Sequence, residues 1–203
     1  TVEDAKGYDT SLVKVEGTRL NRGFLSPYFI NDTSKNVCKL DNPYILLANR
    51  PISSIKELLP LLEKIHQTGR PLLLIADDVD GDALKALVLN NVKGVLNCCA
   101  IRSPEFGQAR VLTMKDLAFM LNAKVVTSSE ESSIESFKIS DLGTCDQVMI
   151  HKNETTIIGC KVDKTDLKAY CDDIRIGLDN FSLSVDEEAA HRRRLSRLAG
   201  GVA

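Results

Sequence analysis

The sequence predicts an α/β fold with parallel strand–helix–strand units, a β-hairpin and two C-terminal helices. Three observations carry it. The apolar runs Tyr44-Ile-Leu-Leu-Ala48 and Leu72-Leu-Leu-Ile-Ala76 have the length and continuity of strands buried on both faces. A helical pattern separates them, and a second one follows before Val95-Leu-Asn-Cys-Cys-Ala-Ile101. Two strand–helix–strand units in succession require parallel pairing, because a crossover of this length cannot serve a hairpin.

The elements follow in order. Ser54-Ile-Lys-Glu57 has the spacing of a capping box and opens a helix that runs to about Thr68 and stops at Gly69. Pro60 removes one backbone donor inside it. The next helix spans about Asp82–Val92 and ends at Gly94. A further helix near Thr113–Leu121 leads to a strand at Lys124–Thr127. Ser128-Ser-Glu-Glu-Ser-Ser133 reads as a polar loop. Gln147–Lys152 and Thr155–Gly159, around Asn153-Glu154, form the hairpin. The last helices are Lys164–Leu178 and Val185–Ala199, the second with the capping box Ser184-Val-Asp-Glu187.

Composition narrows the function. A chain of 203 residues with 43% hydrophobic and 27% charged residues is ordinary for a globular domain. Its longest uncharged apolar runs are too short to cross a bilayer. Thr1-Val-Glu-Asp-Ala-Lys lacks the apolar core of a signal peptide. A net charge of −2 provides no basic footprint for nucleic acid. The cysteines (38, 98, 99, 145, 160, 171) form no CxxC pair and do not cluster with His66, His151 or His191, so buried free thiols are expected rather than a metal site.

Two helices carry more apolar surface than one core needs. At about 100° per residue, Ile55, Leu58, Leu59, Leu61, Leu62 and Ile65 span a stripe about 160° wide. On the second helix Ala83, Leu84, Leu87, Val88, Leu89 and Val92 surround the axis, interrupted only by Lys85, Asn90 and Asn91. Such a helix is either buried on two sides or exposes apolar surface. A third feature points the same way. Of four tyrosines and six phenylalanines, Phe24, Tyr28 and Phe29 crowd into Leu20-Asn-Arg-Gly-Phe-Leu-Ser-Pro-Tyr-Phe-Ile30, a stretch with neither helical nor strand period. Together these features suggest a groove for apolar partners.

The acidic loop Asp77-Asp-Val-Asp-Gly-Asp82 follows a buried strand, where an α/β enzyme would hold magnesium. It does not have EF-hand spacing, and Asp80 or Asp82 also suits helix N-terminal capping, the reading preferred here. No GxSxG, HExxH or glycine-rich phosphate loop is present. His66 late on its helix and the run His191-Arg-Arg-Arg194 read as solvated positions.

Val15-Glu-Gly-Thr-Arg-Leu-Asn-Arg-Gly-Phe-Leu-Ser-Pro-Tyr-Phe-Ile30 resembles the segment that opens the apical domain of group I chaperonins, the GroEL type. Pro43–Ala48, Ile52–Glu63, Arg70–Leu84, Ser103-Pro-Glu-Phe-Gly107, Thr155–Ile158 and Arg197-Leu-Ala-Gly-Gly-Val-Ala203 follow in that family's order, so the resemblance covers nearly the whole chain. It implies a chaperonin apical-domain-like fold, layered β/β/α, over residues 16–202, with 1–15 a stub of the neighbouring intermediate domain. It further implies a chain that is itself no enzyme and holds no cofactor or metal. The parent would be an ATP-dependent folding machine of seven-membered rings whose ATP and magnesium bind elsewhere. The fragment itself is expected to be monomeric. The implied partners are non-native polypeptides and the mobile loop of a GroES-type co-chaperonin, with neither nucleic acid nor membrane involved. The implied compartment is the bacterial cytoplasm or an organelle matrix (mitochondrial or plastid).

Carried over by motif, the binding surface is Phe24, Ser26, Tyr28 and Phe29, with Leu59 and Leu62 from the first helix and Leu84, Val88, Leu89 and Asn90 from the second. Gly17, Gly200 and Gly201 match the family's paired hinge. Some residues depart from the family pattern. Asn21 stands for an acid, Phe24 for a tyrosine and Glu105 for a glycine, while Lys85 adds a charge. The competing functions are a magnesium-dependent phosphotransfer enzyme using loop 77–82 and a pure oligomer-interface domain.

Overall fold

A computed structural model describes residues 12–15, 18–129, 133–180 and 182–199. Its centre is a mixed sheet of five strands. Strands β4 (Tyr44–Ala48), β5 (Leu72–Ala76) and β6 (Cys98–Arg102) run parallel and adjacent, linked by helices α1 (Ile55–Thr68) and α2 (Gly81–Val92). Helix α3 (Gly107–Leu121) carries the chain back across the sheet, so that β7 (Val125–Val126) pairs with β4 on its other side. The remaining length of that β4 edge is closed by antiparallel β8 (Gly143–Thr144). Every residue of β4 and β5 is buried, as continuous apolar composition requires of strands covered on both faces.

A second, antiparallel sheet has the order β2 (Thr18–Leu20), β10 (Thr155–Ile158), β9 (Gln147–Ile150), β3 (Cys38–Asp41). Here burial alternates along β3, β9 and β10, so each strand turns one face to the core. Leu40, Val148, Ile150 and Ile157 join the same continuous core as β4–β6. Residues 12–15 form β1 (Leu12–Val15), which pairs with β11 (Cys160–Asp163). Helices α4 (Lys164–Asn180) and α5 (Val185–Ala199) close the chain. The α/β class, the parallel units, the hairpin and the two final helices are all present. Gly17, Gly200 and Gly201 lie outside the described residues.

Several local expectations are corrected. The third strand begins at Cys98 rather than Val95, and α3 begins at Gly107 rather than Thr113. The Ser54 hydroxyl makes no capping bond; Glu57 pairs instead with Arg50, 2.6 Å away. Asp80 is the residue before α2, yet its side chain caps nothing. The amide of Ala83 donates to the Ser53 carbonyl (3.0 Å), so a neighbouring segment serves the helix terminus. Gly81 permits this approach. It has φ +52°, and an added Cβ would lie 3.2 Å from the Ser53 carbonyl oxygen. The Ser184–Glu187 capping box does form, with the Ser184 amide donating to Glu187 Oε2 at 2.9 Å.

Candidate functional site: an apolar surface around helix α2

The segment Leu20–Ile30 owes its irregular form to two anchors in different sheets. The Phe24 amide donates to the His151 carbonyl at the hairpin (3.2 Å), and the Leu25 amide to the Ala100 carbonyl of β6 (3.0 Å). Gly23 is required by proximity. A Cβ there would stand 2.0 Å from the Lys152 carbonyl oxygen, far inside any tolerated contact. Pro27–Phe29 then forms one 3₁₀ turn. Pro27 supplies its fixed φ at the first position, and the Ser26 hydroxyl accepts from the Tyr28 amide at 3.2 Å.

That turn sorts its two rings. Phe29 is wholly buried, whereas Tyr28 is 67% exposed. Phe24 and Ser26 are half-buried. Expected as part of the open surface, Phe29 instead anchors the turn from beneath, because successive side chains of a 3₁₀ turn stand about 120° apart and cannot share one face. Asn91 fastens the turn to α2, its Nδ2 donating to the Tyr28 carbonyl (3.0 Å) while its Oδ1 accepts from the Cys98 amide (3.1 Å).

Helix α1 also divides differently from expectation. Leu58, Leu61, Leu62 and Ile65 are buried and Leu59 is exposed. Leu62 therefore belongs to the core, leaving Leu59 as the outward apolar residue of this helix. Helix α2 buries only Ala83 and Leu87. Leu84 and Val88 are half-buried, and Leu89 and Val92 are more than half exposed. Its nearly all-round apolar composition thus reflects one buried side and one open side. Asn90 is half-buried, with its amide donating to the Ala86 carbonyl of the preceding turn (2.7 Å). It serves the helix more than the surface.

Helix α2 contacts both α1 and the Pro27–Phe29 turn, so Leu59, Leu84, Val88, Leu89 and Tyr28 are carried on touching elements. The structure adds Val92 and Val95, both exposed. Val95 was missed because it reads as the first residue of a strand. Gly94, at φ +68°, turns the chain here, and the Val95 amide returns to the Asn90 carbonyl (3.0 Å). The Gly94 signal was present; the end of α2 to which it folds back was not visible. Beside Tyr28 and Val92 lies a cleft of about 590 Å³ lined also by Asn31, Asn36, Asn91 and Asn97. Its lining is uncharged.

The acidic loop is tied into ion pairs. Asp77 meets Arg110 at 3.1 Å and Asp78 meets Arg102 at 3.0 Å. The Arg102 guanidinium holds the Asp78 carboxyl below its ordinary pKa, against the opposing effect of burial. Among the described residues, no three His, Cys, Asp or Glu side chains group as metal ligands, and no helix is long and apolar enough to cross a membrane. A scan against protein-family models finds no match to this chain.

Proposed function

We propose that this chain is the polypeptide-capturing apical domain of a GroEL-type chaperonin. Exposed apolar segments of non-native proteins would bind along α1, α2 and the Pro27–Phe29 turn. The observation that carries this reading is the exposure of Leu89 on α2, of Leu59 on α1 and of Tyr28 on the turn, the last two elements each in contact with α2. A large aromatic and several aliphatic side chains held open on a packed scaffold are the surface a partner covers. Each apolar side chain that an unfolded substrate buries there contributes at most about 1.5–3 kcal/mol. A single site is therefore weak and tolerant of sequence. Seven such sites in a ring would raise the net affinity through effective concentration. The mobile loop of a GroES-type co-chaperonin would compete for the same surface, with ATP and magnesium acting on other parts of the parent protein.

The test is suppression of aggregation of a chemically denatured substrate by the chain and by Tyr28→Glu and Leu89→Ser. Both positions are exposed, so both variants should stay folded, which circular dichroism will verify. Loss of protection in both supports the reading. Folded variants that protect as well as the parent chain would sink it.

A further inference from the structure

The end of β2 with the residues after it, the loop before α3 and the last helix border an open cavity of about 390 Å³. Arg19, Arg22, Arg193 and Arg197 line it, together with Leu20, Asn21, Pro104, Ser196 and a single carboxylate, Glu105. Four arginines and one acid around a single cavity make a locally cationic lining in a chain whose overall charge is −2. From the geometry we propose that this cavity is a binding site for an oligophosphate group.

Two of the four arginines are held in place. The Arg22 carbonyl accepts from the buried Thr155 hydroxyl (2.7 Å), its Nε donates to the Ser103 carbonyl (3.3 Å), and its guanidinium lies 5.1 Å from the centre of the Phe106 ring. Arg197 donates from Nη2 to Glu105 Oε1 (2.9 Å) and to Thr113 Oγ1 (3.3 Å). Arg19 and Arg193 are exposed, and neither has an acidic partner among the described residues. The site thus combines two fixed guanidinium groups with two that have no acidic partner among the described residues. Guanidinium forks match phosphate oxygens in pairs, and several arginines lining one cavity favour an anion of more than one charge. Glu105 occupies a position that such a ligand would compete for, so its charge opposes binding. The run Arg192–Arg194 is consequently not one solvated face. Arg192 pairs with Glu188, Arg193 lines the cavity, and Arg194 turns into the core.

The experiment is calorimetric titration of the full chain with inorganic tripolyphosphate, at low and at physiological salt. ATP forms a second arm, separating a free oligophosphate from the tail of a nucleotide. Tripolyphosphate should bind, more weakly at higher salt. Arg19→Ala and Arg193→Ala should each weaken binding about tenfold, and Glu105→Gln should strengthen it severalfold. Arg192→Ala, on the same helix but outside the cavity, should leave it unchanged. Absence of tripolyphosphate binding overturns the proposal, as does equal weakening by Arg192→Ala and Arg193→Ala. So does binding of a single-stranded oligonucleotide where tripolyphosphate fails. Capture of unfolded protein is read separately, so failure of either result leaves the other interpretable.

Discussion

Arg194 and Asp116 form a two-pronged ion pair inside the protein, Nε to Oδ2 at 2.8 Å and Nη2 to Oδ1 at 2.9 Å, with both side chains less than a tenth exposed. The Tyr170 hydroxyl donates to the same carboxylate at 2.8 Å, and the Tyr170 ring stacks on Phe119. Three helices, α3, α4 and α5, therefore meet at one buried carboxylate. Arg194→Ala would leave that charge without its partner, at a cost of about 3–5 kcal/mol. Urea unfolding will measure it. The double variant Asp116→Leu with Arg194→Met should recover much of the loss, because an apolar pair of similar volume carries no unpaired charge.

Glu105 stands in the left-handed region, φ +64°, just before Gly107 at φ +57°. A side chain in that region costs about 1–2 kcal/mol, and a half-buried ion pair to Arg197 returns little of it. Both Glu105→Gly and Glu105→Ala lose the ion pair, but only alanine retains the strain, so Glu105→Gly should be the more stable of the two by about 1 kcal/mol. Thermal unfolding of the two variants side by side checks this.

All six cysteines are buried and free. Burial, with Cys38 close by, pushes the Cys98 thiol up to about 12, and burial does the same at Cys145 and Cys160. The reactive thiolate is scarce at neutral pH under those conditions. A water-soluble disulfide reagent at pH 8 should label almost no thiol in the native protein and all six after unfolding in guanidinium. Rapid labelling of the native chain would contradict this burial.

Asp141 accepts from Lys124 Nζ at 2.7 Å and from the Lys138 amide at 2.9 Å. The Lys124 contact, more than any other, holds its carboxyl below the ordinary aspartate value. A carboxylate lowered by folding contributes stability above its unfolded pKa of about 4 and loses it as pH falls through the folded value. The stability gap between the parent chain and Asp141→Asn should therefore be full at pH 7 and shrink as the solution is acidified below about pH 4. Urea midpoints across that range will show it.

Elements whose signals are local were legible in the sequence. The strands Tyr44–Ala48 and Leu72–Ala76 occur as read, because continuous apolar runs between turn residues need no knowledge of their neighbours. Gly69 ends α1 in the left-handed conformation, and Ser184 caps α5 with Glu187. Short strands such as Thr18–Leu20 and Gly143–Thr144 were not legible, since a few residues become a strand only when a partner edge is present. Ser54 shows the converse failure. Its capping pattern is intact, but Arg50 takes the glutamate that the pattern requires.

The candidate surface divides along the same line. The sequence by itself determined that α1 and α2 carry broader apolar surfaces than a helix facing one core needs, and that the Phe24–Phe29 stretch is aromatic without a regular period. Only the tertiary structure decided that Phe29 and Leu62 go inward while Tyr28, Leu59, Leu89, Val92 and Val95 remain outside. It likewise decided that Arg193, Arg194 and Arg197, close in sequence, meet a cavity, a buried aspartate and a strained glutamate respectively. The physical reason is common to both. Composition and period state how much surface a segment must bury, whereas exposure and pairing depend on which distant residues arrive to cover it.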